Sequence, residues 1–203
     1  MLAALAVVPI LGAGPAGLVF EVTRDGKAIG HHRIAFQRDG DSVTASVDVD
    51  IVVRLGPVPV YRYKHTVREV WRGAQVVSMD SETNDDGKAF RVRAETQADG
   101  VLVRTETVPR LVLPPGAIPL THWNKLCMAR PLFNPQDGKV LAYQVTRVGE
   151  EKTALANGRE VAATRFALTG KEPLDDWYDQ ANDWVALRSK AKDGSMIAYR
   201  RQA

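Results

Sequence analysis

Between residues 43 and 53, apolar and polar side chains alternate with a period of two. Val43, Ala45, Val47, Val49, Ile51 and Val53 fall on one face of an extended chain; Thr44, Ser46, Asp48 and Asp50 fall on the other. Successive side chains of a strand point to opposite faces, so this period predicts a half-buried β-strand. The same reading predicts strands over 18–24, 28–37, 42–55, 60–71, 74–82, 88–97, 101–108, 139–148, 159–169, 183–191 and 195–201. Asp-Gly or Asn-Gly pairs punctuate them at 25–26, 39–40, 86–87, 99–100, 137–138, 157–158 and 193–194. Such pairs tolerate the positive φ that tight hairpin turns require. Short connections place sequence neighbours side by side, which predicts an antiparallel meander. A flat sheet of so many strands would leave long edges. The predicted fold is therefore all-β: one domain over 17–203, curled into a strongly curved sheet, an open β-barrel or two packed layers.

One stretch breaks the pattern. Residues 109–138 hold six prolines and predict a long loop with a short helical turn near 121–129. A loop of this length serves as a lid or plug, or simply crosses between the two halves.

The segment 60–71, VYRYKHTVREVW, separates cleanly by parity. Tyr61, Tyr63, His65, Val67, Glu69 and Trp71 share one face; Val60, Arg62, Lys64, Thr66, Arg68 and Val70 share the other. The cationic face belongs in water and the aromatic face in a concave interior. A carboxylate on that inward face is costly to bury without a partner. His65 lies two inward positions before Glu69, a placement that suggests a shared water, ion or ligand. In AIGHHRIAF the same parity turns His32 inward with Ile34 and Phe36 and turns His31 outward. Gly30 on that face would leave room for a large neighbour or a ligand. If the curved sheet brings the two strands together, His32, His65 and Glu69 converge. Such a set can bind a divalent metal, move a proton, contact a ligand, or simply hydrogen-bond within a core.

Composition narrows the field. The chain has 203 residues, with 27 basic and 24 acidic side chains spread along it. No basic block of the kind nucleic-acid binders use is present. The lone Cys127 excludes an intrachain disulfide and a Cys-based zinc knuckle. It stands near His122, so it reads either as a thiol nucleophile or as a small buried hydrophobe. The first twenty residues carry no charge. The apolar run 2–11 is too short to span a bilayer and has the length of a signal-peptide core. Small residues follow it, and cleavage after Ala13 or Ala16 fits them, so 1–16 is expected to be an export signal without the usual basic start. The alternative is a buried amino-terminal strand or helix. Near the carboxyl end, LDDWYDQANDW at 174–184 reads as an acidic aromatic turn. Its Asp175, Asp176, Asp179 and Asp183 lack the spacing of a calcium loop. No phosphate-binding loop, dinucleotide fingerprint, nucleophile elbow or paired-carboxylate signature occurs, so no cofactor is expected.

Several stretches together resemble an exported bacterial family, domain of unknown function family 6134. They are Phe20-x-Val22 with Asp25-Gly26, Ile29-Gly30-x-His32, Tyr61-Arg62-Tyr63-x-His65 with Glu69-x-Trp71, and Thr83-Asn84-Asp85-Asp86-Gly87. Trp123-Asn124, Asp176-Trp177-Tyr178-Asp179 and Asp193-Gly194 complete the set. The resemblance covers nearly all of the chain after its first twenty residues. It implies export, to the periplasm or the exterior, and a β architecture distantly similar to periplasmic half-barrel lipoprotein carriers.

The leading functional expectation is a carrier or binding protein for an apolar or amphipathic small molecule, with lipids in that class. His32, Tyr61, Tyr63, His65, Glu69, Trp71, Trp123 and Asn124 are its candidate ligand-binding residues, with Phe36 and Phe90 on the same concave face. Peripheral association with a membrane is a related expectation. A rival reading makes His65 a general base tuned by Glu69, or part of a metal site with His32. A third makes the chain a structural envelope protein without a small ligand. The oligomeric state stays open.

Overall fold

The structure is a computed structural model and describes residues 17–203. The expected export signal over 1–16 lies outside the described residues. Seven consecutive hairpin-linked strands open the chain: β1 (Gly17–Arg24), β2 (Lys27–Asp39), β3 (Ser42–Leu55), β4 (Val58–Arg72), β5 (Gln75–Asp85), β6 (Lys88–Gln97) and β7 (Gly100–Thr105). The short β8 (Leu111–Leu113) pairs with β7. An insertion follows, with β9 (Ile118–Pro119), a single 3-10 turn at Lys125–Met128, β10 (Leu132–Phe133) and β11 (Val140–Leu141). The chain then returns through β12 (Gln144–Ala154), β13 (Glu160–Thr169), β14 (Leu174–Tyr178), β15 (Trp184–Lys190) and β16 (Met196–Arg201).

All the large strands form one antiparallel sheet in the order β12-β13-β14-β15-β16-β1-β2-β3-β4-β5-β6-β7-β8. Every neighbour pair is also a sequence neighbour except one. The last strand pairs with the first, Val22 facing Tyr199, so the two ends of the described chain meet inside the sheet. The free edges are then β8 and β12, and the insertion runs between them. Its own small sheet joins β11, β10 and β9, with β9 and β10 parallel. Insertion residues Ala117, Ile118, Cys127, Leu132 and Phe133 share one buried cluster with Phe20, Val47, Trp71 and Trp184 of the large sheet. The insertion is a plug packed on the concave side.

Local chemistry explains the shape. Positive φ at Asp25 and Gly26, and again at Asp86 and Gly87, supplies the hairpin turns that the Asp-Gly pairs predict. Gly30 has another reason. A Cβ there would stand 2.0 Å from the Asp50 carbonyl oxygen, so the glycine serves the close approach of β3 and opens no room for a ligand.

Three expected elements differ from those observed. The strand expected over 139–148 runs from Gln144 to Ala154 and carries a bulge between Arg147 and Gly149. The strand expected over 101–108 stops at Thr105. The acidic stretch expected to be a turn is half strand: β14 occupies Leu174–Tyr178, and the turn proper spans Asp179–Asp183. Its carboxylates are tolerated because each finds donors. Asp175 accepts from Arg165 and Arg188, while Asp176 accepts from His122 and Trp184. On the convex side Trp177 packs with Leu155, Ala163, Val185 and Ala186 in a second small core, under the guanidinium groups of Arg165 and Arg188.

Candidate functional site

Between the curved sheet and the plug lies a cavity of about 820 Å³. The register of the central strands sets its depth. Val53 faces Tyr61 near the hairpin tips, then come Ile51 with Tyr63, Val49 with His65, Val47 with Val67, and Ala45 with Glu69. The lining includes the exposed side chains Val60, Lys190, Lys192 and Asp193, so the mouth opens at the end where the β1–β2, β3–β4 and β15–β16 hairpins turn. At the far end Glu69, Thr121 and Trp123 form the floor.

The floor is a fixed arrangement. Glu69 is buried, and its Oε2 accepts from the Trp71 indole N–H at 2.8 Å and the Trp123 indole N–H at 3.1 Å. Burial pushes the Glu69 carboxyl up to about 7, against the opposing effect of donors from Trp71, Thr121 and Trp123. Trp123 packs edge-on against Phe36 and Trp71, with ring centroids 5.0 and 5.7 Å apart. Glu69 thus latches the plug, through Trp123 and Thr121, to the carboxyl-terminal part of β4.

Two histidines mark the middle of the wall. His65 is buried, and its Nδ1 lies 2.8 Å from the Thr83 hydroxyl. Burial lowers its pKa to about 4, so the ring is neutral at ordinary pH. His32 sits in an aromatic box of Phe20, Trp184 and Tyr199, at centroid distances of 6.0, 5.3 and 5.8 Å. Its pKa is pushed down to about 3, first by desolvation and then by His122, His65 and His31. Its Nε2 is buried without a hydrogen-bond partner.

The sequence placed other residues correctly on the inward face and erred on their company. His32 and His65 lie in one row with Val49 between them, roughly 10 Å apart by two interstrand spacings. Glu69 lies four residues beyond His65, roughly 13 Å along the strand. The three do not converge. Among the described residues no three His, Cys, Asp or Glu side chains stand close enough together to hold a metal ion. Tyr61, Tyr63, His32, His65, Glu69 and Trp123 line the cavity. Trp71 and Asn124 do not. Trp71 is fully buried behind the floor, and the Asn124 side chain accepts from the Leu126 N–H to cap the 3-10 turn. Phe90 shares the inward parity of Val92 and Ala94 but stands at the end of β6, 38% exposed. Cys127 is sealed in the core 3.5 Å from the Tyr178 hydroxyl, and burial raises its thiol well above the ordinary range. It packs within the main buried cluster, as a small apolar residue would.

One polar pair was not legible as a unit. His122 Nδ1 lies 2.8 Å from Asp176 Oδ2, and the His122 ring stacks on Trp184 at 5.1 Å. The fully buried Asp176 also accepts from the Trp184 indole N–H at 3.0 Å. His122 lines the cavity beside Trp123. Its partner is 54 residues away, so no spacing announces it. The available signal was the parity of β14, which puts Asp176 inward with Leu174 and Tyr178.

A curved antiparallel sheet, a plug across its concave side and a chamber between them with a few fixed polar groups define a barrel-like β architecture. The chain belongs to the family described as Domain of unknown function (DUF6134), whose model matches residues 20–202. Its fold is similar to the crystal structure of a beta-barrel-like protein of domain of unknown function DUF1849 from Brucella abortus. The two share 10% identity and a TM-score of 0.64, over 92% of this chain and 94% of that one. No curated protein matches the chain significantly.

Proposed function

We propose that the protein is an exported binding protein, periplasmic or secreted, which holds an apolar or amphipathic molecule of the lipid class in its cavity. One observation carries the reading: a chamber of about 820 Å³ whose middle is walled by Val47, Val49, Ile51 and Val67. Protein interiors pack without large voids, and ligand pockets of a few hundred cubic ångströms have this mix of apolar wall and sparse polar groups. The polar groups keep to set places. Glu69 and Thr121 lie at the floor, His32, His65 and His122 on the walls, and the charged side chains at the mouth. Such a layout suits an amphipathic molecule with its apolar part along the aliphatic rows. Export is supported by the apolar opening run and by the family resemblance.

A general-base role for His65 tuned by Glu69 loses its geometry, because the two groups stand too far apart and His65 is already bonded to Thr83.

The test is a titration of delipidated protein with a fluorescent long-chain fatty acid. Saturable one-to-one binding is expected. Val49→Trp and Val67→Trp each put an indole into the chamber and should weaken binding at least about tenfold, a change of about 1.4 kcal/mol. Thermal midpoints near the wild-type value would show that both variants fold. No binding, or binding indifferent to both substitutions, would remove the cavity from the account.

A further inference from the structure

Three of the four most exposed large aliphatic side chains among the described residues gather at one projecting point; the fourth, Val140, is 61% exposed and lies on β11. Leu55 is 75% exposed, Val58 57% and Val60 52%. All three belong to the β3–β4 hairpin, LGPVPV, whose turn at Gly56 has a positive φ. This hairpin outruns its neighbours. The ladder from β3 to β2 ends at Ile51, and the ladder from β4 to β5 ends at Tyr63. Four residues therefore carry Leu55 roughly 13 Å past the last β2 contact. Burying three aliphatic side chains there would have been easy for a shorter loop, so their projection calls for a partner.

We propose that this hairpin tip docks the protein on a bilayer surface that carries anionic lipid headgroups, with Leu55 and Val58 entering the headgroup layer. Three features select this partner. The tip offers three aliphatic side chains and two prolines, far short of the roughly 800 Å² per side that a stable protein–protein interface needs. A narrow apolar point ringed by cations is instead the form that an interfacial anchor takes. The cations are present: Arg54 and Arg62 flank the tip, and Lys27 and Lys192 sit on the adjacent hairpins. None of these four has a carboxylate partner among the described residues. The Arg54 guanidinium is held against the tip by donating to the Pro57 carbonyl at 3.1 Å. Carboxylates stand at the same end: Asp25 accepts from the Met196 N–H, Asp85 from the Tyr61 hydroxyl and Asp86 from the Arg62 N–H, Asp193 pairs with Arg24, and Glu172 lines the mouth, so the cations of the tip itself are Arg54 and Arg62. Finally, Val60 belongs both to the tip and to the cavity mouth. This last point rests on the proposed ligand: docking here would let an amphipathic molecule pass between bilayer and chamber without crossing water.

The test is flotation of the protein with two kinds of vesicle, phosphatidylcholine alone and phosphatidylcholine with about one-third phosphatidylglycerol. Flotation with the anionic vesicles is expected, weakened by salt, with little on the neutral ones. Leu55→Ser with Val58→Ser should cut the bound fraction at least tenfold. Arg54→Gln with Arg62→Gln should cut it and flatten its salt dependence. These side chains are exposed, so both double variants should keep the wild-type thermal midpoint. Both should also keep binding of the fluorescent fatty acid, which separates docking from the cavity reading. Flotation without fatty-acid binding would sink the ligand alone. Absence of flotation, or flotation unchanged in the Leu55 and Val58 variant, would overturn the docking. So would a concentration-dependent dimer abolished by that variant, since a second copy would then cover the tip.

Discussion

Glu69→Ala is expected to lower the unfolding free energy by about 3–5 kcal/mol, the range in which removing one partner leaves buried polar groups unpaired. The substitution strips the acceptor from two indole N–H groups, one of them on the fully buried Trp71. It also cuts the latch that joins Trp123 and Thr121 of the plug to β4. Glu69→Gln keeps a carbonyl oxygen in place and should cost only about 1 kcal/mol. Urea unfolding of the three proteins measures both values. Equal costs for the two variants would mean that the carboxylate is incidental to the plug's attachment.

Stability should depend on pH with a maximum near 6.5. His65 and His32 have folded values of about 4 and 3, below the ordinary 6.5. Each takes up its proton on unfolding within that window. The stability they contribute is complete above pH 6.5 and is lost as pH falls toward the folded values. At about 1.4 kcal/mol per pKa unit, His65 alone accounts for about 3 kcal/mol. Glu69 works the other way. Its folded value of about 7 lies above the ordinary 4.5, so its contribution is complete below 4.5 and is lost as pH rises toward 7. Between 4.5 and 6.5 two histidines oppose one carboxyl, and net stability climbs with pH. Above 6.5 the Glu69 loss alone remains. Urea midpoints taken across pH 4–8 test this. His65→Gln should flatten the acid limb, and Glu69→Gln should steepen the climb and remove the decline above 6.5. A wild-type profile that falls from pH 4.5 to 6.5 would contradict the burial of neutral histidines.

Much of the fold was legible because period-two alternation and Asp-Gly turns are local signals. The segments 42–55 and 60–71 show the alternation, the first of them after the Asp39-Gly40 turn, and they became β3 and β4 with the expected faces inward. What the chain does across long separations was not legible. Nothing local announces that β16 pairs with β1, or that Asp176 accepts from His122. The strand β14 was masked because four aspartates read as a turn. The placement of Asp175 and Asp176 depends on Arg165, Arg188, His122 and Trp184, donors that only the folded chain brings to them. The candidate site shows the same division. Parity put Tyr61, Tyr63, His65 and Glu69 on the correct face, but depth along the strand decides which of them meet. Trp71, one pleat beyond Glu69 on that face, passes below the cavity floor and becomes core.

The chamber itself is tested most directly by quenching Trp123, which lines it beside the floor. Delipidated protein would be titrated with a dibrominated long-chain fatty acid while indole fluorescence is followed. The structure predicts a saturable loss of emission, most of it gone in Trp123→Phe and blocked in Val49→Trp. An undiminished signal throughout the titration, or a loss equally large in Trp123→Phe, would contradict a ligand seated between sheet and plug.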